Sequence, residues 1–414
     1  MKIAIYWEQA SWGGVDTQLL TLLRTWPSSD DEFVLFYNRG NLGLSRIKDD
    51  LHRIPNVLLV EMQSFSYNEI VRRISKIPLR KLLHAAIYVL QPLFLFAMAQ
   101  RISIHLRKFG PFDVLLSDNG GYPAAWGAQC AMIAASWAKV STRFLLIHHS
   151  STRPAPFMGW YERLVDLYIG RVASAIICVS YATRRSLLDC RALNDIDTRI
   201  RVIHNGIFPL TDHKIHPPTC DLRRTANANT ELLVGMVGRV DPYKGHEDLI
   251  FAMARLREDE RRRLKLVVIG SGDTQELERL RRLAVNLGIG NQLSLTGFVP
   301  GESVDIISQL DLLVIATRSF EGFGLTLAEA LHAGTPILAT RVGAIAEFVD
   351  ELNGVLVNPG SPLEISLALR DFLGNHRTWI RRSEHGKVRI MAEGNRMADE
   401  YHRLFNECLA ESRD

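Results

Sequence analysis

Short apolar runs alternate with longer amphipathic stretches along the first half of the chain. The apolar runs predict strands at 2–7, 32–37, 57–61, 113–117, 142–148, 174–179 and 199–203. The intervening stretches have helical spacing, notably 15–26, 67–108, 122–138, 159–172 and 181–190. Because the strand runs are apolar almost without interruption, both of their faces are expected to be buried. The alternation therefore predicts a parallel sheet with helices on both sides.

The same pattern restarts after a polar, proline-containing stretch at 207–230. Beyond it, apolar runs predict strands at 231–238, 264–269, 292–296, 311–316, 336–340 and 354–357, and helical patterns follow at 361–373, 376–392 and 394–411. We therefore expect an α/β protein with two Rossmann-like, doubly wound domains, 1–206 and 231–392, a linker at 207–230 and a final helix within 393–414. Ligands of such sheets bind beyond the carboxyl ends of the strands, so we expect the two domains to face each other across a ligand cleft.

Composition and cysteine spacing indicate the class of protein and the compartment in which it is expected. The 414 residues are 47% hydrophobic and 23% charged, as in soluble globular proteins, and a net charge of +4 gives no reason to expect a nucleic acid partner. The cysteines are far apart, and none forms a pair with zinc-ligand spacing: Cys130, Cys178, Cys190, Cys220 and Cys408. A strand is predicted directly after Met1, without a signal peptide. We therefore expect a reduced, cytoplasmic protein.

One segment departs from the average charge distribution. Residues 70–112 include eight Lys or Arg and no Asp or Glu, and within them 82–99 is apolar except for His84, Gln91 and Pro92. Its length approaches the roughly 20 residues of a membrane span, but the interruptions and its place between core strands argue against spanning. Two interpretations remain. The segment is a core helix with basic ends in water, or it is a peripheral contact with the anionic inner face of the cytoplasmic membrane.

The loop after the first strand of the second domain carries two cations. Arg239 and Lys244 lie five residues apart, and Gly238 and Gly245 flank them. A guanidinium and an ammonium at this spacing can neutralise a diphosphate without a metal ion, and the glycines allow the backbone to approach closely. The alternative is a pair of solvated loop cations. We expect no metal site.

Two further glycine loops also follow predicted strands. They contain Gly13 with Gly14, before the first helix, and Gly270 with Gly272, where a structural turn is the more common interpretation. Such loops can offer backbone N–H groups to phosphates. Neither has the GxGxxG pattern with a following acidic residue, and the P-loop pattern is absent. The sequence therefore does not indicate a nicotinamide cofactor.

A pair of carboxylates brackets another strand–turn–helix junction. Glu321 and Glu329 are separated by seven residues, with Gly322 and Gly324 in the turn and a helix expected to begin near Leu325. The two acids would lie roughly 12 Å apart along the helix at about 1.5 Å per residue, so they can contact opposite ends of an extended ligand. The alternative is one loop acid and one ordinary surface acid of a helix.

Taken together, these motifs resemble the retaining glycosyltransferases of family 4, which have the GT-B fold and include the glycosyl transferases group 1. The resemblance covers most of the chain and is densest in the second domain. It rests on the cationic loop at 238–245, the paired glutamates, and the segments 334–347 and 354–360. In the first domain it rests on the N-terminal glycine loop and on 202–207, where His204 replaces the usual proline.

The resemblance implies a role for each matching residue. Arg239 and Lys244 would hold the diphosphate of a nucleotide sugar, Glu321 would contact the donor sugar, and Glu329 would accept hydrogen bonds from the ribose. Backbone N–H groups of the turn and residues near the base would complete the donor site: Phe323, Gly324, Leu325, Phe298 and Val299, with Gly13, Gly14 and Gly238 from the matching loops. Apart from the resemblance, the turn with Gly270 and Gly272 ends a neighbouring strand, and we expect it to contact the nucleotide as well.

The resemblance also implies a histidine at the end of the fifth strand of the first domain, close to the reacting sugar. His148 and His149 both stand there, and we favour His149 from the strand length. The other would be a buried, hydrogen-bonded histidine. The helix at 393–414 would cross back to pack on the first domain, which would bind the acceptor, while the second domain would bind the nucleotide sugar.

The function implied is a metal-independent, retaining hexosyltransferase. It would move a sugar from a UDP or GDP donor to a hydroxyl of a glycan or lipid-linked acceptor, in the synthesis of cell-surface polysaccharide or lipopolysaccharide. A nucleotide-sugar epimerase or a phosphorylase on the same scaffold is an alternative enzyme. A non-catalytic nucleotide-sugar binding protein is an alternative outside catalysis, because fold does not fix function.

Overall fold

The computed structural model describes residues 1–9, 13–41, 43–62, 86–87, 89–123, 126–191, 193–206, 221–222, 231–393 and 396–412. The chain divides into two compact units. The first consists of Met1–Phe208 together with Asn395–Asp414, and the second of Pro209–Gly394. The predicted linker at 207–230 lies outside the described residues, except for Asp221 and Leu222.

The first unit is built on a seven-stranded sheet in which every pairing is parallel. Its spatial order is β3-β2-β1-β4-β5-β6-β7. The strands are β1 (Lys2–Trp7), β2 (Glu32–Asn38), β3 (Val57–Met62), β4 (Val114–Asn119), β5 (Thr142–Ile147), β6 (Ala175–Cys178) and β7 (Ile200–Val202). Successive residues Ile3, Ala4 and Ile5 of β1 are all fully buried, so both faces of the sheet are covered. The prediction of a doubly wound parallel sheet is confirmed.

Within the described part of the first unit, six helices connect these strands. They are α1 (Gly14–Arg24), α2 (Leu44–His52), α3 (Gln91–Phe109), α4 (Trp126–Trp137), α5 (Gly159–Val172) and α6 (Tyr181–Cys190), with a 3₁₀ turn at Asn194–Arg199. Of the helical stretch expected at 67–108, the structure describes α3 from Gln91 to Phe109, with Pro92 in its first turn. Proline fits that position because the first turn needs no N–H donor. Residues 63–85 and 88 lie outside the described residues.

The second unit repeats the plan with a six-stranded parallel sheet of order β10-β9-β8-β11-β12-β13. Its strands are β8 (Leu232–Val237), β9 (Leu264–Ile269), β10 (Leu293–Gly297), β11 (Leu312–Ile315), β12 (Ile337–Thr340) and β13 (Val355–Val357). Two separate clusters of buried apolar side chains form its core, one containing Val234 and Leu312 and the other Leu233 and Leu313. Because neighbouring strand residues point to opposite faces, these clusters cover the two sides of the sheet.

The helices of the second unit are α7 (His246–Ala254), α8 (Glu258–Arg261), α9 (Thr274–Asn286), α10 (Ser303–Ile307), α11 (Leu325–Ala333), α12 (Ile345–Phe348), α13 (Pro362–Gly374) and α14 (His376–Glu393). Short 3₁₀ turns occur at Pro242–Lys244 and Gly290–Gln292. Among the residues described in both units, no helix is long and apolar enough to cross a bilayer.

Helix α15 (Met397–Glu411) belongs to the first unit, although it follows the whole second unit in sequence. The ring of Phe405 stacks on Phe144 of β5 with 4.5 Å between centroids. The sulfur of Met397 accepts hydrogen bonds from Gln18 Nε2 at 3.4 Å and from the N–H of Gly206 at 3.1 Å. One side chain thus joins α1, the point where the chain leaves the first unit, and the point where it returns.

Candidate active site

The strand order of the second unit reverses between β8 and β11, which are neighbours in the sheet. β9 and β10 lie on one side of this pair, and β12 and β13 on the other. The loops that leave the carboxyl ends of β8 and β11 therefore diverge and open a crevice at that edge. These two loops, 238–245 and 316–324, carry the cations and the first glutamate that the sequence singles out.

Lys244 and Glu321 form an ion pair at this reversal point, although they are 77 positions apart. The Nζ of Lys244 lies 2.7 Å from Oε2 of Glu321, and both side chains are mostly buried. Burial lowers the pKa of Lys244, but the attraction of the Glu321 carboxylate and its hydrogen bond outweigh this, so the pKa lies above its usual value. Lys244 therefore remains an ammonium at neutral pH.

Two glycines hold the backbone of this pair in place. Gly245 has φ of +77°, and a Cβ there would lie 2.0 Å from the carbonyl oxygen of Ala316. Gly343 has φ of +53°, and a Cβ there would lie 2.1 Å from the carbonyl oxygen of Glu321, which also accepts the N–H of Ala344 at 2.9 Å. Side chains are excluded at both positions, so the loops can approach each other closely.

Arg318 adds a second connection between the two loops. Its N–H donates to the carbonyl oxygen of Tyr243 at 2.7 Å, and its guanidinium binds both carboxylate oxygens of Asp248 at 2.6 Å. This bidentate pair fixes the start of α7 relative to the loop after β11. Arg318 could not be singled out from the sequence, because nothing in its local pattern distinguishes it from an ordinary loop cation.

Arg239 lies on the same loop as Lys244 but is half exposed, with its Nε 3.4 Å from Oδ2 of Asp241. Gly270 and Gly272 pack against this loop. A Cβ on Gly270 would lie 1.8 Å from the carbonyl oxygen of Gly238, and Gly272 pairs with Val240. These glycines thus have a structural role in supporting the cationic loop. Their contact with a nucleotide stays a prediction.

Helix α11 begins directly behind Glu321. Gly324 is its N-cap with φ of +86°, and as a glycine it has no side chain to cap the first turn. The N–H groups of Leu327 and Ala328 donate to the carbonyl oxygen of Gly324 at 2.9 and 3.1 Å, so Leu325 and Thr326 present the leading N–H groups, which suit an anionic ligand. Phe323 turns inward and packs edge-to-face on Phe348, with 4.9 Å between centroids.

Glu329 lies one to two turns into α11 in an environment unlike that of Glu321. Its pKa is raised to about 7, because burial and the neighbouring Glu302 carboxylate outweigh a hydrogen bond with Ser303.

Near β10, the other predicted donor contacts differ in exposure: Phe298 is 52% exposed, whereas Val299 is buried. Phe298 thus presents a ring to solvent that a planar base could stack on.

In the first unit, the two histidines after β5 have different surroundings. Nε2 of His148 lies 2.8 Å from Oδ1 of Asp118 at the end of β4, and both residues are buried. His149 is only partly buried, and its Nδ1 lies 3.0 Å from Oγ of Ser150. The backbone N–H groups of both histidines donate to the carbonyl oxygen of Gly120. His148 thus has the buried, hydrogen-bonded position, and His149 is the accessible histidine.

The N-terminal glycine loop is tied to a buried acid. The N–H of Gly13 donates to Oδ2 of Asp16 at 2.8 Å, so this N–H is occupied within the loop. Gly14 is the first residue of α1. Burial raises the pKa of Asp16 to about 7, and the nearby Asp118 adds to the shift. Neither acid was singled out from the sequence, although an Asp at the end of a buried strand, as in β4, is a detectable signal.

Across the residues that the structure describes, no group of three or more His, Cys, Asp or Glu side chains is arranged to hold a metal ion.

Two protein-family models match this chain, one in each unit. Glycosyltransferase Family 4 matches residues 12–209, and Glycosyl transferases group 1 matches residues 221–388. The two doubly wound parallel sheets have the architecture of the GT-B fold. The chain belongs to glycosyltransferase family 4.

Similar proteins carry related names. An uncharacterized glycosyltransferase of Methanocaldococcus jannaschii is 32% identical over 200 residues, which are 46% of this chain and 48% of that protein. A D-inositol 3-phosphate glycosyltransferase of Corynebacterium efficiens is 34% identical over 212 residues, which are 48% of this chain and 49% of that protein. The chain thus matches about half the length of these curated relatives.

A solved structure shows the same fold over the whole chain. The Anabaena protein HepE, crystallised with UDP and glucose, aligns with a TM-score of 0.72 at 18% identity, covering 99% of this chain and 100% of that one. At this identity, the similarity establishes the GT-B fold alone.

Proposed function

We propose that this protein is a retaining, metal-independent hexosyltransferase that uses a nucleotide-diphosphate sugar of the UDP or GDP type. Its acceptor is a hydroxyl of a glycan or a lipid-linked saccharide, in the synthesis of cell-surface polysaccharide or lipopolysaccharide. The observation that carries this proposal is the Lys244–Glu321 pair at the strand-order reversal of the second unit, beside the uncapped start of α11.

The charges of this site suit departure of a nucleoside diphosphate. As the bond between the sugar C1 and the β-phosphate oxygen breaks, negative charge develops on that oxygen. The Lys244 ammonium, the Arg239 guanidinium and the first N–H groups of α11 are positive groups on adjacent loops. Groups directed at charge that develops in the transition state accelerate the reaction more than they tighten ground-state binding.

We assign the two glutamates to binding rather than to acid and nucleophile roles. Glu321 is engaged by Lys244, and Glu329 lies in a separate environment beside Glu302 and Ser303. Retaining hydrolases need two carboxyl groups about 5 Å apart on either side of one bond. A same-face transfer fits these residues better. In it, the acceptor oxygen bonds to C1 as the phosphate oxygen leaves, and the acceptor proton passes to that phosphate.

Within this proposal, Glu321 contacts the donor sugar and Glu329 the ribose. Phe298 and Val299 lie near the base, and Phe323, Gly324 and Leu325 supply the turn that receives the phosphates. In the first unit we assign the catalytic histidine to His149, because His148 is engaged by the buried Asp118. Gly13 and Gly14 begin α1 and support this unit's loop.

The curated relatives support glycosyl transfer over the alternatives, since several are named D-inositol 3-phosphate glycosyltransferases. An epimerase would not release a nucleoside diphosphate in response to an added acceptor, and a phosphorylase would require inorganic phosphate. A non-catalytic binding protein would bind the nucleotide sugar without turnover.

The proposal is tested first by thermal unfolding with a panel of UDP- and GDP-sugars, because a ligand that binds only the native state raises the midpoint. The stabilising donor is then incubated with candidate acceptors, and release of the nucleoside diphosphate is measured with and without a chelator. We expect stabilisation by one donor type and acceptor-dependent release that survives chelation. Stabilisation without release by any acceptor would favour the binding-protein alternative.

We also propose a cytoplasmic location with peripheral contact to the inner face of the membrane. The sequence suggests residues 70–112 for this contact, and the part of them that the structure describes supports both earlier interpretations. In α3, Leu95, Met98 and Ile102 are buried in the core, whereas Leu93 and Phe96 are exposed.

A further inference from the structure

Helix α5 presents its apolar side chains to solvent. The exposed fractions are 65% for Trp160, 56% for Leu164, 56% for Leu167 and 36% for Tyr168, and Phe157, just before the helix, is 91% exposed. These residues recur at spacings of three and four, so they form one stripe along the helix. A surface helix of a globular protein normally directs such a stripe toward the core.

The inward face of the same helix carries its carboxylates. Glu162 and Asp166 are both buried and bind Arg191, with Oε2 of Glu162 at 2.6 Å from Nη1 and Oδ2 of Asp166 at 2.9 Å from Nε. The hydroxyl of Tyr122 also donates to Asp166 at 2.6 Å. Turning the apolar stripe inward would break these buried ion pairs, and a buried charge without its partner is strongly unfavourable. The outward direction of the stripe is therefore fixed by the fold.

Helix α3 extends this apolar surface. Its outward residues Leu93, Phe96 and Ile104 are 67%, 54% and 64% exposed. The end of α4 connects the two helices: the ring of Phe96 packs on Trp137 at 5.7 Å, and the hydroxyl of Tyr168 lies 3.5 Å from Oγ of Ser136. We call the exposed residues of 89–108 and 153–171 the α3–α5 surface.

The charges on the α3–α5 surface have one sign. Its exposed ionised side chains are basic: Arg101, Arg107, Lys108, Arg153, Arg163 and Arg171. Residues 89–108 contain no Asp or Glu, and those of 153–171 are the buried Glu162 and Asp166. Two copies of this surface facing each other would bring like charges together, which disfavours a symmetric dimer through it.

We propose that the α3–α5 surface docks this protein on an anionic phospholipid membrane. The aromatic and leucine side chains insert at the level of the headgroups, where Trp160 and Phe157 are well suited, and the arginines contact lipid phosphates. The proposal deepens the peripheral membrane contact proposed above, on which it rests, and it does not depend on glycosyl transfer. It moves the main membrane contact from the basic segment identified in the sequence to the stripe of α5.

Flotation with two kinds of vesicle tests this proposal. One kind is phosphatidylcholine alone, and the other contains about one third phosphatidylglycerol. The test variant combines Leu164→Gln and Leu167→Gln. The matched control combines Leu363→Gln and Leu367→Gln on α13 of the second unit, where the two leucines are 59% and 52% exposed. Both variants change two exposed leucines on a helix, and thermal unfolding establishes that both remain folded.

We expect the unmodified protein and the control to float with anionic vesicles, to dissociate from them at high salt, and to bind neutral vesicles only weakly. We expect the α5 variant to lose at least about tenfold in partitioning, because it removes apolar side chains from the inserted stripe. Equal flotation of the α5 variant, or no flotation of the unmodified protein, would overturn the proposal. So would a dimer of the unmodified protein that the α5 variant abolishes, since the surface would then bind a second copy.

Discussion

The ammonium of Lys244 and the carboxylate of Glu321 lie 2.7 Å apart where the loops after β8 and β11 diverge. In this arrangement each group neutralises the other, and each keeps the other's side chain in one place. A diphosphate would attract Lys244 away from Glu321 and leave that carboxylate able to accept a hydrogen bond from a sugar hydroxyl. Under the proposed assignment, the pair would therefore couple occupation of the phosphate site to the state of the sugar site.

Replacement of Lys244 by alanine should lower kcat/KM of glycosyl transfer by at least about 100-fold, since one preorganised charge at a developing oxyanion contributes this much. Lys265→Ala is the matched control, because the Nζ of Lys265 donates to the carbonyl oxygen of Asn291 at an exposed position. Steady-state kinetics with the stabilising donor measure both variants. Turnover of Lys244→Ala at the unmodified rate would remove Lys244 from the diphosphate site.

The raised pKa of Glu329 makes its contribution to stability depend on pH. Its pKa is about 7 in the folded protein and 4.5 as the reference value, so the folded state binds the extra proton between these values. The contribution is therefore present below pH 4.5 and is lost as the pH rises through about 7. Glu329→Gln should be more stable than the unmodified protein at pH 8, on the order of 1–3 kcal/mol, and the difference should vanish near pH 4.5.

Urea unfolding of the unmodified protein and of Glu329→Gln between pH 4.5 and pH 8 measures the difference in their free energies of unfolding. Glu8 and Asp16 also have raised pKa values, but their contributions are the same in both proteins and cancel. Binding provides a second measurement. If ionised Glu329 accepts hydrogen bonds from the ribose, the donor that stabilises the protein should bind more tightly at pH 8 than at pH 6, and Glu329→Gln should lose this dependence. A pH-independent affinity in the unmodified protein would argue against the ribose contact.

Gly245→Ala should destabilise the protein by more than about 2 kcal/mol, because a side chain at φ of +77° is strained and its Cβ would overlap the carbonyl oxygen of Ala316. Gly374→Ala is the control, since a Cβ at that helix end meets nothing within 4 Å. We expect the control to stay within about 0.5 kcal/mol in urea unfolding. Equal stability of the two variants would show that the loop after β8 can relax away from β11.

The two histidines should separate catalysis from stability. His149→Ala should reduce kcat and leave the unfolding transition unchanged, because the side chain is partly exposed and contacts Ser150. His148→Ala should cost about 3 kcal/mol or more, because it leaves the buried Asp118 without its partner. In the double change Asp118→Asn and His148→Ala, part of this stability should return. A catalytic loss confined to His148→Ala would reverse the assignment.

Much of the fold could be predicted from the chain, because parallel strands buried on both faces are apolar throughout. The run at 264–269 coincides with β9, and the helical patterns at 159–172 and 181–190 coincide with α5 and α6. The loops that carry Lys244 and Glu321 were also predictable, since both follow apolar strands. Their direct pairing was not, because it depends on which strands become neighbours in the sheet.

The orientation of α5 was beyond the sequence pattern for a different reason. A stripe of Trp160, Leu164 and Leu167 predicts a buried face, and the acids on the opposite side predict a solvated one. In the structure the apolar stripe is exposed and the acids are buried, because Arg191, which directly follows α6, binds Glu162 and Asp166 inside the unit. Amphipathic periodicity reports the faces of a helix, but a buried ion pair with a distant partner decides which face points inward.

Met397 joins segments of the first unit that the ribosome makes at very different times. Its sulfur receives hydrogen bonds from Gln18 and Gly206, and α15 places Phe405 against Phe144. During synthesis, residues 1–206 emerge first, but this part of their sheet is covered only when residues 396–412 have been made. All strands of the intervening second unit have been synthesised before then. Folding of the nascent chain should therefore complete the second unit before the first, contrary to the order of translation.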